Sequence, residues 1–149
     1  MNRQLNAEMY SGYHYLSMSA YCESIDMPGF ASWMRVQRLE ELTHAMKFFD
    51  YVAENGRVLL EAIGAPPTEW EGVLGAFEAT LEHERKVTGL ISDLVAMAGE
   101  EDDAQTGEFL RWFVEEQEEE EETAGEIVER IKQAGDSEEE IERLDGELA

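Results

Sequence analysis

Six polar residues stand out by type and spacing: Glu8, Glu41, His44, Glu84, Gln117 and Glu120. Glu41 and His44 are three apart, so on a helix they share a face and can reach one cation together. The set Glu8, Glu41, His44 recurs, shifted by 76 residues, as Glu84, Gln117, Glu120. Around it, Trp33-Met34-Arg35 is answered by Phe109-Leu110-Arg111. The pattern reads as a duplicated helical hairpin whose halves face each other about a pseudo-twofold axis, with two metal ions side by side. Oxygen-rich donors with one imidazole are too hard for a structural zinc site, which favours Cys and His. Calcium has little use for imidazole. Fe(II) or Mn(II) suits the mixture better.

The elements that must position these residues are marked by helix breakers. Pro28-Gly29, Gly56, Gly64 with Pro66-Pro67, Gly99 and Gly135 divide the chain. The spacing between them predicts four long helices, over Asn2–Ser24, Phe30–Asn55, Gly72–Ala98 and Ala104–Gln133. A fifth, short helix is expected from Ser137, where Ser137 and Glu140 have the spacing of a reciprocal capping box and Ile141, Leu144 and Leu148 supply an apolar face. Short turns make the first and second helices, and the third and fourth, antiparallel neighbours. The 16-residue link from Gly56 to Glu71 can span roughly 50 Å when extended. The second helix is only about 40 Å long, so the link can cross its full length and bring in the third helix parallel to it. The expected fold is all-α: one domain over 1–149, a four-helix bundle with one long crossover and a short fifth helix.

Steps of three and four residues pick out the inward face of each helix. Leu5, Gly12, Tyr15 and Cys22 flank Glu8, and Phe30, Met34, Gln37, His44 and Phe48 flank Glu41. Phe77, Leu81, Thr88, Ile91 and Val95 flank Glu84, and Leu110, Phe113, Gln117, Ala124 and Ile127 flank Glu120. Any one of these glutamates could instead snorkel to the surface. Four together are harder to dismiss, because none of the seams offers a Lys or Arg and an unpaired buried carboxylate costs several kcal/mol or titrates to neutrality. A bound cation would supply the missing charge.

Composition narrows the partners. With 35 acids against 11 bases the 149-residue chain carries a formal charge of −24, and its 43% hydrophobic content is enough for a core. That charge opposes nucleic acid and anionic membrane surfaces and attracts cations. A single cysteine, Cys22, excludes a disulfide framework and cysteine-ligated iron or zinc centres. The longest uncharged stretch, Met9 to Cys22, is too short to span a bilayer, and the start lacks the basic-then-apolar pattern of a signal peptide. A cytoplasmic location is expected. The acidity fits either a halophile's surface or an iron-gathering wall, but the seven acids within Glu115–Glu122 cannot all point inward at 100° per residue. Most of that run must be solvated.

Four segments carry a resemblance: Asn6-Ala-Glu8-Met-Tyr10-Ser, Glu40-Glu41-Leu-Thr-His44, His83-Glu84, and Trp112-Phe-Val-Glu-Glu116-Gln117-Glu-Glu119-Glu120. Together they resemble the non-haem ferritins of bacteria and archaea, within the ferritin-like di-iron superfamily, over essentially the whole chain. General di-iron bundles take one Glu from each of two helices and a Glu-x-x-His from each of the others. The resemblance implies that one iron is held by Glu8, Glu41 and His44, and a second by Glu84 and Glu120 with Glu41 bridging. Gln117 would stand beside the pair. Tyr15 matches a tyrosine kept near the di-iron centre as an electron donor, although a core tyrosine hydrogen-bonded to a carboxylate reads equally well. Glu40, Glu116 and Glu119, with Glu120, match a third iron site of some prokaryotic members, or else form a plain acidic face.

The resemblance further implies iron storage and detoxification. The chain would oxidise Fe(II) to Fe(III) with O2 or peroxide and deposit the product in an oligomeric shell, usually of 24 subunits. Haem is not expected, since Leu42 stands where bacterioferritins place a haem-ligating methionine. A rubrerythrin-like peroxide reductase should carry a second Glu-x-x-His, which Gln117 and Glu120 replace. A non-catalytic acidic metal-binding helical protein is the other alternative. Between Glu100 and Ala149 there are 21 acids and four bases, so converging chain ends would repel and assembly is expected to need salt or cations. Glu8 lies seven residues after Met1, closer to the start than is usual in the relatives, so fraying of the first turn would weaken it as a ligand. His14 lies off the seam and is expected to face solvent. His83, beside Glu84, is a candidate to support it. Trp33, Trp70, Trp112 and the methionines read as packing residues.

Overall fold

The computed structural model describes residues 1–149. Its elements are helices α1 (Asn2–Ser24), α2 (Pro28–Asn55), α3 (Gly72–Glu100), α4 (Ala104–Ala134) and α5 (Glu138–Leu148). The expected boundaries hold to within two residues. α2 begins at Pro28 rather than Phe30, because a proline at the first helical position sacrifices no hydrogen bond and its fixed φ suits the helix. α3 runs through Gly99 to Glu100, and α4 runs one residue further than expected. No helix is long and apolar enough to cross a membrane. The chain forms two compact units, one of Met1–Ala76 with Ile131–Ala149 and one of Phe77–Arg130.

In the first unit α1 and α2 are antiparallel. Ser19 Oγ donates to Ala31 O at 2.9 Å, and Gly12 lies against Arg38 and Glu41, so rising numbers on one helix meet falling numbers on the other. The reversal takes three residues, with Asp26 at φ 58 and Met27 N–H returning to Cys22 O at 3.0 Å. Leu5, Tyr15, Met18 and Cys22 on α1 and Phe30, Met34 and Phe48 on α2 are buried. Leu5, Tyr15, Cys22, Phe30, Met34 and Phe48 lie on the anticipated stripe, and Met18, outside it, is buried as well.

The link after α2 has no regular structure from Arg57 to Trp70, yet it is fastened to α1 along its length. Asn2 Nδ2 donates to Arg57 O (2.9 Å) and Asn2 Oδ1 accepts from Leu59 N (2.8 Å). Asn6 Nδ2 donates to Leu59 O (3.1 Å), and Asn6 Oδ1 accepts from Glu61 N (2.9 Å). Further on, Ser17 Oγ donates to Pro67 O (2.6 Å) and Tyr21 Oη to Trp70 O (2.6 Å). These side chains satisfy backbone groups that a structureless strand would leave to water. They also show the link running with α1, from its first turn to its last, so that α3 begins beside the C-terminal end of α1. Gly72, at φ 69, turns the chain there and donates its N–H to Tyr21 Oη (2.9 Å).

Two expectations change here. The first turn of α1 is tied to the link through Asn2 and Asn6, which opposes the fraying inferred for Glu8. His14 is 6% exposed, not solvent-facing. Tyr10 stacks on it with ring centroids 5.8 Å apart, and Trp70 of the link meets it edge-on at 6.0 Å. A helical face considered alone gives no sign that a non-helical strap will lie across it.

α5 docks on the start of α2. Leu144 is buried, with Ile141 and Leu148 half-buried beside it. Ser137 caps α5 by accepting Glu140 N–H at 3.4 Å, but only half of the capping box forms, because the Glu140 carboxylate accepts from Arg143 at 2.6 Å instead. Asp145 Oδ1 accepts Phe30 N–H at 2.9 Å, one of the donors that the first turn of α2 cannot use internally. A Cβ on Gly29 would lie 1.7 Å from Asp145 O, so only glycine admits this approach.

In the second unit α3 and α4 are joined by the three residues 101–103 and meet where Arg85 and Thr88 reach Glu121 and Gln117 reaches Glu84. Asp103 caps α4, accepting Thr106 N–H at 3.0 Å and the Thr106 hydroxyl at 2.5 Å. Val87, Ile91, Leu110, Phe113 and Ile127 are buried. Val95, expected on the inward face, is 38% exposed, while Thr80 and Val128, outside the expected seams, are buried. A straight 3.6-residue count drifts across a long helix, so its ends are where the assigned face slips.

Replacing Gly29 with alanine should drive α5 off α2. The expected cost is about 1–3 kcal/mol, the range for overpacking, read as a lower thermal midpoint with faster hydrogen exchange confined to 138–148; wild-type exchange there would show that the contact does not hold α5.

Candidate metal centre

α1 places Glu8 on its buried face one turn before Gly12, and α2 places Glu41 and His44 one turn apart on the face opposite. Gly12 lets the helices close: a Cβ there would already touch Arg38 O at 3.4 Å and Glu41 Cβ at 3.6 Å. Glu8, Glu41 and His44 are 1%, 1% and 3% exposed, and each offers a ligand atom within 4.8 Å of the others'. Three residues from two helices thus converge on a volume that one cation could fill.

The polar surroundings leave a buried carboxylate oxygen that a cation could answer. His44 Nδ1 lies 3.6 Å from Glu41 Oε2, too far for a hydrogen bond. Burial, with the nearby Lys47 charge adding to it, lowers the His44 pKa from 6.5 to about 4, so the ring is neutral at physiological pH and keeps a lone pair for a metal. Burial raises the Glu8 pKa, and the neighbouring Glu41 carboxyl and Gln4 amide oppose that rise in part. Glu8 Oε1 accepts from Gln4 Nε2 at 2.7 Å, whereas its buried Oε2 meets no donor. A divalent cation would answer that buried oxygen and hold both carboxylates ionised.

The second unit brings together Glu84 and Gln117. Glu84 is fully buried and Gln117 is 4% exposed. Gln117 Nε2 donates to Glu84 Oε2 (3.2 Å), Glu84 O (3.3 Å) and Thr88 Oγ1 (3.3 Å). Thr88 Oγ1 in turn donates to Glu121 Oε1 at 2.6 Å. Gln117 therefore orients a carboxylate, which its place in the repeat did not reveal. Glu120 is half-buried, and His83, next to Glu84, is half-buried. Tyr15 is buried with Trp33 edge-on to it at a centroid distance of 6.3 Å. Glu40 and Glu119 are exposed and Glu116 half-buried, and Glu40 accepts a hydrogen bond from Gln37.

Gln4 was absent from the expected site. The signal was available: a polar residue four before Glu8 shares its face. A search for ligand types alone passes over an amide that serves a ligand.

Carboxylates and an imidazole projecting inward from facing helices are how helical bundles build metal sites. The ferritin family model, described as a ferritin-like domain, matches residues 1–134, and the chain belongs to that family. Among its relatives is a bacterial non-heme ferritin of Bacteroides fragilis, 46% identical over 138 residues, covering 92% of this chain and 87% of the relative. One from Escherichia coli is 34% identical over 150 residues, covering all of this chain and 91% of the relative. A solved structure, described as a novel open pore ferritin from the hyperthermophilic archaeon Archaeoglobus fulgidus, matches with a TM-score of 0.98 at 53% identity. It covers 99% of this chain and 91% of that one. The fold is accordingly a ferritin-like four-helix bundle with a short fifth helix, in a family of iron-storage proteins.

A depressed histidine pKa has a fixed sign in stability. Above pH 6.5 His44 is neutral folded and unfolded; as pH falls toward its folded value of about 4, the unfolded chain takes the proton first and the native state loses ground. For the metal-free protein, the unfolding free energy of wild type relative to His44→Gln should fall by about 2 kcal/mol between pH 7 and pH 4.5. Denaturant titrations of both proteins at the two pH values measure it, and a pH-independent difference would mean that His44 is not buried neutral.

Proposed function

We propose that this protein is a ferroxidase subunit of an iron-storage assembly, oxidising Fe(II) to Fe(III) at a paired-metal centre and passing the product to a mineral core. The convergence of buried Glu8, Glu41 and His44 is the observation that carries the reading. Glu8, Glu41 and His44 would bind the first Fe(II). Glu84 and Glu120 would bind the second, with Glu41 shared between them, two ions per chain. Gln117 orients Glu84 through its amide. Glu40, Glu116 and Glu119 are proposed to hold a third ion, and Tyr15 to supply an electron when the oxidant demands more than the iron has given.

The chemistry follows from the donors. Anionic oxygens stabilise Fe(III) more than Fe(II), so a carboxylate-rich site favours the product of one-electron loss at each ion. A neutral imidazole adds a strong donor without adding charge. The carboxylates must lose their protons for Fe(II) to bind, and Fe(II) supplies the stabilisation that burial withholds from Glu8. O2 or hydrogen peroxide takes up the electrons. Rigid helices keep the ligands in place while the charge on the metal changes.

A cytoplasmic shell is part of the same proposal. Subunits with 21 acids and four bases in their last 50 residues would assemble against their own repulsion, which salt or bound cations screens.

Glu41→Ala and His44→Ala should each slow aerobic Fe(II) oxidation at least about tenfold, following the loss typical when a metal site is disturbed; wild-type rates in both would defeat the ferroxidase assignment. Light scattering of the apo-protein across a salt series should show the shell dissociating as salt is lowered, and an intact low-salt shell would refute the screening argument.

A further inference from the structure

Gln4 is 4% exposed, on the first turn of α1. Burying an amide is unfavourable unless it makes its hydrogen bonds. Helical side chains lean toward the N-terminus, so Glu8 points back over the turn that carries Gln4. The two meet at 2.7 Å, Nε2 to Oε1. Opposite to this bond, Glu8 Oε2 is buried and meets no donor, within ligand reach of Glu41 and His44. The orientation of the amide is set by chemistry: reversed, it would put two acceptor oxygens against each other whenever Glu8 is ionised.

We propose that Gln4 is a positioning residue for the metal centre: by bonding Glu8 Oε1 it fixes the carboxylate so that Oε2 is aimed at the cation shared with Glu41 and His44. This rests on the reading of Glu8 as a ligand. The first turn that carries Gln4 is held in turn, through Asn2 and Asn6 on either side of it, by four hydrogen bonds to Arg57, Leu59 and Glu61 of the link. The two halves of the chain reach the same result by different routes. Glu84, the counterpart of Glu8, receives its amide from Gln117 on the neighbouring helix, and the residue corresponding to Gln4 is Thr80. Glu8 and its counterpart Glu84 thus each have one amide N–H on one carboxylate oxygen.

Outer partners of metal ligands typically change affinity 10–100-fold when removed. The test titrates the apo-protein with Co(II), whose visible absorption reports ligand number and geometry. Gln4→Met preserves volume and removes the donor; Gln4→Glu preserves shape and replaces the donor with an acceptor; Glu8→Ala is the control for the site itself. Both Gln4 variants should keep wild-type helicity by circular dichroism, bind the tightest Co(II) about 10–100-fold more weakly, and show an altered absorption band. If Gln4→Met does not fold, Gln4→Glu decides alone. Wild-type affinity and spectrum in the Gln4 variants, alongside a defective Glu8→Ala, would overturn the positioning role and leave the metal centre standing. Wild-type behaviour of Glu8→Ala as well would overturn both.

Discussion

Ionised carboxylates packed between helices cost several kcal/mol each unless something returns the solvation they lose. That cost governs the first unit of this protein. α1 and α2 commit Glu8, Glu41 and His44 to one enclosed volume, and much of the neighbouring structure controls what those groups can do there. Gly12 sets a helix spacing at which the donors lie within reach of one cation. Gln4 occupies one oxygen of Glu8 and leaves the other inward. Burial keeps His44 neutral and disfavours an ionised Glu8, a cost that a bound cation would offset.

The irregular parts of the chain serve this arrangement. A connection of fourteen residues without helix or strand would be a source of disorder in most small domains. Here Asn2 and Asn6 near the start of α1 and Ser17 and Tyr21 near its end offer it hydrogen bonds, and the strap and the helix order each other. The benefit to the site is local, because the turn before Glu8 is the turn most tightly tied. At the other end of α1 and α2, Asp145 of α5 completes the backbone of α2 through a glycine that leaves it room.

Charge acts at two scales. The net −24 is mostly a property of solvated faces, and in the run Glu115–Glu122 the residues 115, 118, 119 and 122 are exposed. Such charges are screened within about 8 Å at physiological salt and bear chiefly on assembly and on the local concentration of cations. The three fully buried glutamates, Glu8, Glu41 and Glu84, are a small part of the total and the part that could do chemistry. Number of acids says little about iron; their place relative to the apolar stripe says a great deal.

Much of this was legible in the chain itself. Apolar residues at steps of three and four, interrupted by Gly and Pro at few places, determine helices whose ends can be read within two residues, and a carboxylate in each stripe marks the candidate ligands. Those signals are local, carried by residues within a turn or two of one another. Tertiary structure decided the rest. His14 is buried because Trp70, 56 residues later, folds over it. Glu140 gave its carboxylate to Arg143 and left the capping box half made, a competition between near neighbours that spacing alone does not rank. Gly29 is required by Asp145, and Glu84 is oriented by Gln117, through contacts between residues far apart in sequence. Periodicity tells which side of a helix avoids water; only the packed chain determines which group arrives there to meet it.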